Sequence, residues 1–370
     1  MIYLDYQATT PVAPEVAAAM RPWIEEKFAN PHSPSRWGRE AAAAIEVARG
    51  QVEQALGLPG GSFAFTSGAT EALNWALKGT FENSRRRKLV TVATEHAAVL
   101  DTAEWLEAKG VEVVRLRVDS GGLVDLEIAD AAIDDKTAMV AVMLVNNEIG
   151  VVQQVGEFAR MAHRAGALML CDAVQGFGRL PIPEGPDLVA ISGHKIHGPK
   201  GVGGLWMRSG AEPEPLLHGG GQEQGLRSGT LAPALCVGMG EAAHLAAERR
   251  DADLVHVEKL SELAMATLGT GWILNGSHDH RYRGNLNLRR EGLDGARLIS
   301  DMRNIAFSLG SACASGSGRP SHVLRAIGLS DRAARSSIRI GFGRYTGEEE
   351  LASACRRINE AAHEQTQLPA

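Results

Sequence analysis

The chain has 370 residues, 44% of them hydrophobic, with 38 basic and 44 acidic residues and a formal net charge of −6; that is enough apolar material for a sizeable core and a length of roughly two domains at about 100–200 residues each. The mild negative balance offers no basic field to gather a polyanion, so nucleic acid is not an expected partner. The opening Met1-Ile2-Tyr3-Leu4-Asp5 lacks the basic flank and apolar stretch of a signal peptide, and no apolar run nears the ~18 residues of a membrane span, so no membrane partner and a cytoplasmic location are expected.

From residue 63 to 207, short apolar runs alternate with segments of helical period, the pattern of a mainly parallel sheet covered by helices. The expected strands are 63–66, 89–94, 111–118, 138–145, 167–171, 188–192 and 202–207, with helices at 70–81, 98–109, 125–133 and 156–165 between most of them. After a long helix at 234–268 the character changes to a strand at 285–288, a helix at 295–303, a strand at 337–341 and a last helix from residue 348. This reads as an α/β domain followed by a smaller α+β domain, and the N-terminal segment through Phe28 fits with either. The basic run Arg85-Arg86-Arg87-Lys88 lies between a helix and a strand and reads as a solvated loop.

Ligands of open α/β sheets sit beyond the carboxyl ends of the strands, and in this chain those positions are polar. Ser67-Gly68-Ala69-Thr70 follows the first strand; it can offer backbone N–H groups and a helix N-terminus to a phosphate, or be an ordinary helix start capped by Thr70. Asp172 ends the apolar run Ala167-Leu168-Met169-Leu170-Cys171, where a partly buried carboxylate needs a cationic or hydrogen-bonding partner. A protonated pyridine nitrogen is one such partner; a structural salt bridge or a helix cap is another. Lys195 follows the buried run 187–191, where burial can lower an amine's pKa and make it a nucleophile toward an aldehyde, although a lone lysine is ordinarily a surface group. His96 falls at a fourth strand end. Together these groups describe a pyridoxal 5'-phosphate site.

The cysteines Cys171, Cys236, Cys313 and Cys355 show neither C-x-x-C pairing nor zinc-ligand spacing and are expected as thiols. Cys313 lies in Ser308-Leu309-Gly310-Ser311-Ala312-Cys313-Ala314-Ser315-Gly316-Ser317-Gly318, a composition that predicts a mobile loop rather than a core element. The other three sit in strand or helical runs and read as small buried apolar residues. His278-Asp279-His280 follows a polar turn and reads as surface; no resident metal is expected.

Thr66-Ser67-Gly68-Ala69-Thr70-Glu71, Val145-Asn146-Asn147-Glu148-Ile149-Gly150, Ser192-Gly193-His194-Lys195, Arg227-Ser228-Gly229-Thr230 and Gly310-Ser311-Ala312-Cys313 resemble the motif series of the cysteine desulfurases. These are class V aminotransferases among the fold-type-I pyridoxal-phosphate enzymes. The likeness runs in order from Tyr3-Leu4-Asp5-Tyr6 to Ser337-Ile338-Arg339. It implies a large domain (14–250) with a mainly parallel seven-stranded sheet, and a small α+β domain (1–13 and 251–370) carrying the cysteine loop. It further implies that Lys195 holds the cofactor covalently, Asp172 pairs with the pyridine nitrogen, Gln175 bonds the phenolic oxygen and His96 stacks on the ring. Ala69, Thr70, Ser192 and His194 would hold the phosphate, with Thr230 reaching it across a homodimer. Asn147 would lie against cofactor and substrate, and Arg339 would clamp the substrate carboxylate.

The implied reaction converts L-cysteine to L-alanine and leaves a persulfide on Cys313, which could also ligate an iron–sulfur cluster transiently. Lys195 and His96 would move protons, and the sulfur would go to an iron–sulfur scaffold protein or another acceptor. A selenocysteine lyase or a small-amino-acid aminotransferase is the alternative within the same superfamily, and a non-catalytic cofactor-binding protein the alternative outside it. Two features depart from the pattern. Gln222 stands where many members have histidine, and the chain stops at Ala370 where many members continue into a tail that docks the scaffold, which puts the mode of docking in doubt.

Overall fold

In the computed structural model, which describes residues 1–309 and 321–367, a short strand β1 (Ile2–Tyr3) leads into helices α1 (Pro14–Glu25) and α2 (Arg36–Leu56). Strands and helices then alternate: β2 (Gly61–Thr66), α3 (Ala69–Asn83), β3 (Lys88–Val92), α4 (Ala97–Glu107), β4 (Glu112–Leu116), α5 (Leu126–Ala132), β5 (Thr137–Met143), α6 (Val155–Arg164), β6 (Leu168–Asp172), β7 (Leu188–Ser192) and β8 (Gly203–Arg208). The long α7 (Pro233–Leu268) precedes β9 (Ile273–Leu274), β10 (Asn285–Arg289), α8 (Gly295–Asp301), β11 (Ile305–Ala306), α9 (His322–Ala326), α10 (Asp331–Arg335), β12 (Ser337–Gly341) and α11 (Glu348–Gln367). Each element expected from periodicity is present with its ends displaced by at most two residues. The short β1, β9 and β11 carry too few residues to show a period.

The large sheet has the order β2-β8-β7-β6-β5-β3-β4. Strand β8 runs antiparallel to both β2 and β7, whereas the other neighbours are parallel. The carboxyl ends of β2, β7, β6, β5, β3 and β4 therefore share one edge of the sheet. Both faces are covered. Met139 and Ala141 of β5 pack with Leu73 and Leu77 of α3 and Val99 of α4, while Val140 and Val142 join Phe158 of α6 and Met239 of α7 on the opposite face. This two-sided burial is why the strands read as continuous apolar runs rather than as alternating ones.

Strand β1 pairs parallel with β11, and Asp5 bridges Gly341 at the end of β12, so the N-terminal segment lies against the later part of the chain. Strand β10 lies between β9 and β12. The basic run after α3 is a solvated loop only in part: Arg85 and Arg87 are exposed in the loop, whereas Arg86 and Lys88 are drawn inward. Lys88 is buried in β3 and pairs with Asp134 at 2.9 Å. Arg86 donates to the carbonyls of Ala165 and Gly166, each at 2.7 Å, and Arg87 to those of Phe81 and Lys109. These cations satisfy carbonyls at chain reversals below the sheet, a demand that sequence spacing does not reveal.

The β2–β8 contact leaves no room for a side chain at Gly204, since a Cβ there would overlap the Phe63 ring and come within 2.6 Å of the Ala64 carbonyl oxygen. Gly204→Ala is expected to lower stability by about 1–3 kcal/mol, read as a lower urea midpoint with an unchanged slope.

Candidate active site

At the shared edge, Thr66 of β2 and Ser192 of β7 flank Gly203 of β8 in register. Helix α3 starts directly after this point, and no side chain caps it: its N-cap is Gly68. The Thr70 cap considered above is therefore not formed. Thr70 lies in the first turn, exposed, with its carbonyl accepting from Asn74 Nδ2 at 3.0 Å. Glu71 reaches back to accept from the Ser67 N–H at 2.8 Å and pairs with Arg227, which holds the turn without covering the helix terminus. Beyond Gly68 the space is open, with no atom within 4 Å of where a Cβ would stand. Gly203 lies so close that its own Cβ would meet the Gly68 Cα at 2.8 Å. Uncapped N–H groups facing open space suit a phosphate.

Ser192, Gly193, His194 and Lys195 form a tight turn at the end of β7. Ser192 is buried. His194 Nδ1 lies 3.1 Å from Thr9 Oγ1, and burial together with the neighbouring Lys195 lowers its pKa to about 4, so the ring is neutral at physiological pH. Lys195 Nζ donates to the carbonyls of Gln7 at 2.5 Å and Ala8 at 2.8 Å. Burial pushes its pKa down to about 7, with Arg179 and Arg339 adding to the shift and Asp5 and Asp172 opposing it. A neutral amine has two N–H donors; with both on carbonyls, its lone pair is left to attack a carbon or take a proton.

Arg179, which the sequence did not single out, donates to the Lys195 carbonyl at 3.0 Å and to Gln175 Oε1 at 2.5 Å, and lies over the Tyr282 ring at 5.2 Å. An arginine in a turn after two glycines carries no signal of such a place, because only packing takes it out of solvent.

Asp172, the last residue of β6, is 6% exposed, and its Oδ1 accepts from Val174 N at 3.0 Å. Burial raises its pKa while nearby His96 and Lys195 pull it down. Glu95 is fully buried, its Oε1 accepting from Met143 N at 2.7 Å, and burial with Asp172 close by drives its pKa well above the usual carboxylate range. Two carboxyls in one dry region disfavour double ionisation, and Glu95, with burial and Asp172 both acting on it, is the one driven well up. His96 is the N-cap of α4, with Nδ1 accepting from Ala98 N at 3.1 Å; Nε2 is then the nitrogen that bears the proton of the neutral ring. Gln175 is buried and donates to the Gln7 carbonyl at 2.9 Å.

Arg339 in β12 is 1% exposed; it pairs with Asp5 at 2.7 Å and donates to the Asn147 carbonyl at 2.8 Å. The same carbonyl accepts from Asn285 Nδ2 at 3.2 Å. Thus Ala69, Thr70, His96, Asn147, Asp172, Gln175, Ser192, His194 and Lys195 come from adjoining strand ends, and Arg339 reaches them from β12. Thr230 is exposed. Gln222, the departing residue, accepts from Gly229 N at 2.8 Å and so braces the segment that carries Thr230. Cys313 lies outside the described residues.

The implied pyridoxal 5'-phosphate fits this set. Asp172 is a buried carboxylate that meets one backbone N–H and, among the described residues, no cation within ion-pair range; a protonated ring nitrogen would supply it. The uncapped α3 terminus supplies what a phosphate needs.

Two expectations follow. The rate at which the cofactor-free protein captures pyridoxal 5'-phosphate should rise with pH through about 7, where Lys195 loses its proton, and Arg179→Met should move that midpoint up by on the order of 1 pH unit by removing a neighbouring positive charge. Gly203→Ala should weaken retention of the cofactor by roughly tenfold or more, measured by dialysis and absorbance, because the new methyl displaces Gly68 from under the α3 terminus.

Residues 2–353 match the family described as aminotransferase class-V. The chain is 44% identical over 374 residues to the cysteine desulfurase IscS of Rickettsia bellii, covering 97% of this chain and 91% of that protein. A solved NifS-like protein superposes with a TM-score of 0.89 at 36% identity, covering 97% of this chain and 98% of the other. SspA, solved in complex with cysteine, gives a TM-score of 0.83 at 34% identity over 94% of this chain and 100% of its own. The match runs through every strand of the large sheet, so the chain belongs to the class-V aminotransferase family, among its cysteine desulfurases.

Proposed function

We propose that the chain removes sulfur from L-cysteine, releases L-alanine and carries the sulfur as a persulfide on Cys313. The observation that carries this reading is the Lys195 amine, whose pKa of about 7 and two carbonyl acceptors leave it nucleophilic beside a buried carboxylate. Pyridoxal 5'-phosphate, when bound, supplies an electron sink for the carbanion formed at the substrate's α-carbon. Lys195 holds that group and then takes the α-proton. Asp172 would keep a proton on the ring nitrogen, Gln175 would donate to the phenolic oxygen, and His96 would stack on the ring and pass protons through Nε2. Ala69, Thr70, Ser192, His194 and Thr230 of the partner subunit hold the phosphate. Arg339 and Asn147 orient the substrate carboxylate, the guanidinium being held by its ion pair with Asp5.

Elimination supports Cys313 as the sulfur carrier. Cys171, Cys236 and Cys355 are buried. Burial drives the Cys171 thiol well above its ordinary pKa and those of Cys236 and Cys355 up to about 12, so none supplies a thiolate at neutral pH. The Cys313 thiolate attacks the substrate sulfur: the S–S bond forms as the C–S bond breaks, and the C–S electron pair stays with the carbon fragment, which takes up protons and leaves as alanine. We place the working protein as a homodimer in the cytoplasm that passes sulfur to an iron–sulfur scaffold protein or a similar acceptor. Residues 14–250 are taken as the cofactor domain, and 1–13 with 251–370 as the small domain, a division that the pairing of β1 with β11 supports.

Alanine and sulfide production from L-cysteine with a reductant tests the assignment. Cys313→Ala should keep the yellow cofactor and lose sulfur transfer by roughly a hundredfold or more, while Lys195→Ala should lose turnover altogether. If Cys313→Ala yields both products at the wild-type rate, the persulfide route is wrong.

A further inference from the structure

Outside the chemistry assigned above, hydrogen bonds hold the chain on both sides of Cys313 in sequence. Glu148, in the turn after β5, is 2% exposed, and its Oε2 accepts from the Ser321 hydroxyl. Among the described residues its carboxylate meets no cation within ion-pair range. A buried carboxylate satisfied by a hydroxyl costs stability that an apolar pair would not, so holding a helix start does not account for it. Ser321 also caps α9, its Oγ accepting from Leu324 N at 3.1 Å. His322 Nε2 bonds the Glu95 carbonyl at 3.0 Å, directly before His96. Upstream, Ser308 and Arg339 exchange both backbone hydrogen bonds, at 3.2 and 2.6 Å. Cys313 follows Ser308 by five residues and precedes Ser321 by eight. Each flank is thus bonded to Arg339 or to the immediate sequence neighbour of Asn147 or His96.

We infer that Ser321 and Glu148 are positioning residues for sulfur transfer: their hydrogen bond fixes the downstream root of the Cys313 segment against the Asn147 turn and sets the rate of persulfide formation, while substrate binding does not depend on it. The inference rests on Cys313 being the sulfur carrier. Glu148 and Ser321 are not among the groups assigned above to cofactor or substrate, and they act through where they hold the chain. Ser330 provides the contrast, because it caps α10 through Ala333 N at 3.2 Å without any bond to the site.

The test uses the holoenzyme in a single turnover with L-cysteine and no reductant. Persulfide on Cys313 is trapped by alkylation and measured by mass spectrometry, cysteine binding is followed by the change in cofactor absorbance, and thermal unfolding checks the fold. Ser321→Ala is expected to slow persulfide formation by about tenfold or more with half-saturating cysteine within about twofold of wild type, as for a misplaced reacting group. Ser321→Thr, which keeps the hydroxyl, and Ser330→Ala, which loses only a cap, should both stay near the wild-type rate. A wild-type rate in Ser321→Ala, a failure of Ser321→Thr to restore it, or an equal loss in Ser330→Ala overturns the inference. A wild type that forms no persulfide on Cys313 overturns the sulfur-carrier reading and this inference with it, whereas equal persulfide in wild type and Ser321→Ala overturns the inference alone.

Discussion

The amine of Lys195 has to be uncharged to act, and the folded chain arranges this by taking it out of water between the carbonyls of Gln7 and Ala8. Those two carbonyls come from the N-terminal segment, whereas the lysine sits at the end of β7. Burial withdraws the solvation that would favour the ammonium, and the two carbonyls take up the N–H groups of the neutral amine. Arg179 and Arg339 add positive field on the same side. The N-terminal segment is in turn held by β11 and β12. The reactivity of one lysine thus depends on how the two ends of the chain meet across the sheet edge.

Around this amine the charges are graded rather than simply paired. Asp172 and Glu95 share a dry region, and the deeper Glu95 is driven further toward its neutral form. Asp172 is held down in turn by the nearby His96 and Lys195. On the other side, Asp5 occupies part of the Arg339 guanidinium, tempering a cation that would otherwise bear on Lys195 at full strength. Arg339 and Lys195 are for this reason one electrostatic unit, and a change at Asp5 is a change at both.

The α3 terminus follows a different logic, in which backbone matters more than side chains. Helix α3 starts at an uncapped glycine because Gly203 lets β8 approach Gly68. Glu71 braces the turn from behind through Ser67 N and Arg227, and Gln222 braces the segment that follows Arg227. A glutamine serves at that brace because its amide oxygen accepts the Gly229 N–H without carrying charge.

The sequence by itself determined the strands and helices of the large sheet, since burial on both faces demands unbroken apolar runs, and it located Lys195, Asp172, His96 and the Ser67–Thr70 turn, since polar residues directly after such runs fall at strand ends. The order of the motifs likewise carried the family. Only the tertiary structure decided that β8 runs against its neighbours, that Arg86 and Lys88 are drawn into the protein, and that Thr70 does not cap α3. Arg179, Glu95, the Asp5–Arg339 pair and the Ser321–Glu148 bond became visible there as well. Each of these turns on contacts between residues far apart in the chain, up to 334 positions for Arg339 and Asp5, and no local period or composition encodes which distant carbonyl or carboxylate a buried charge will meet.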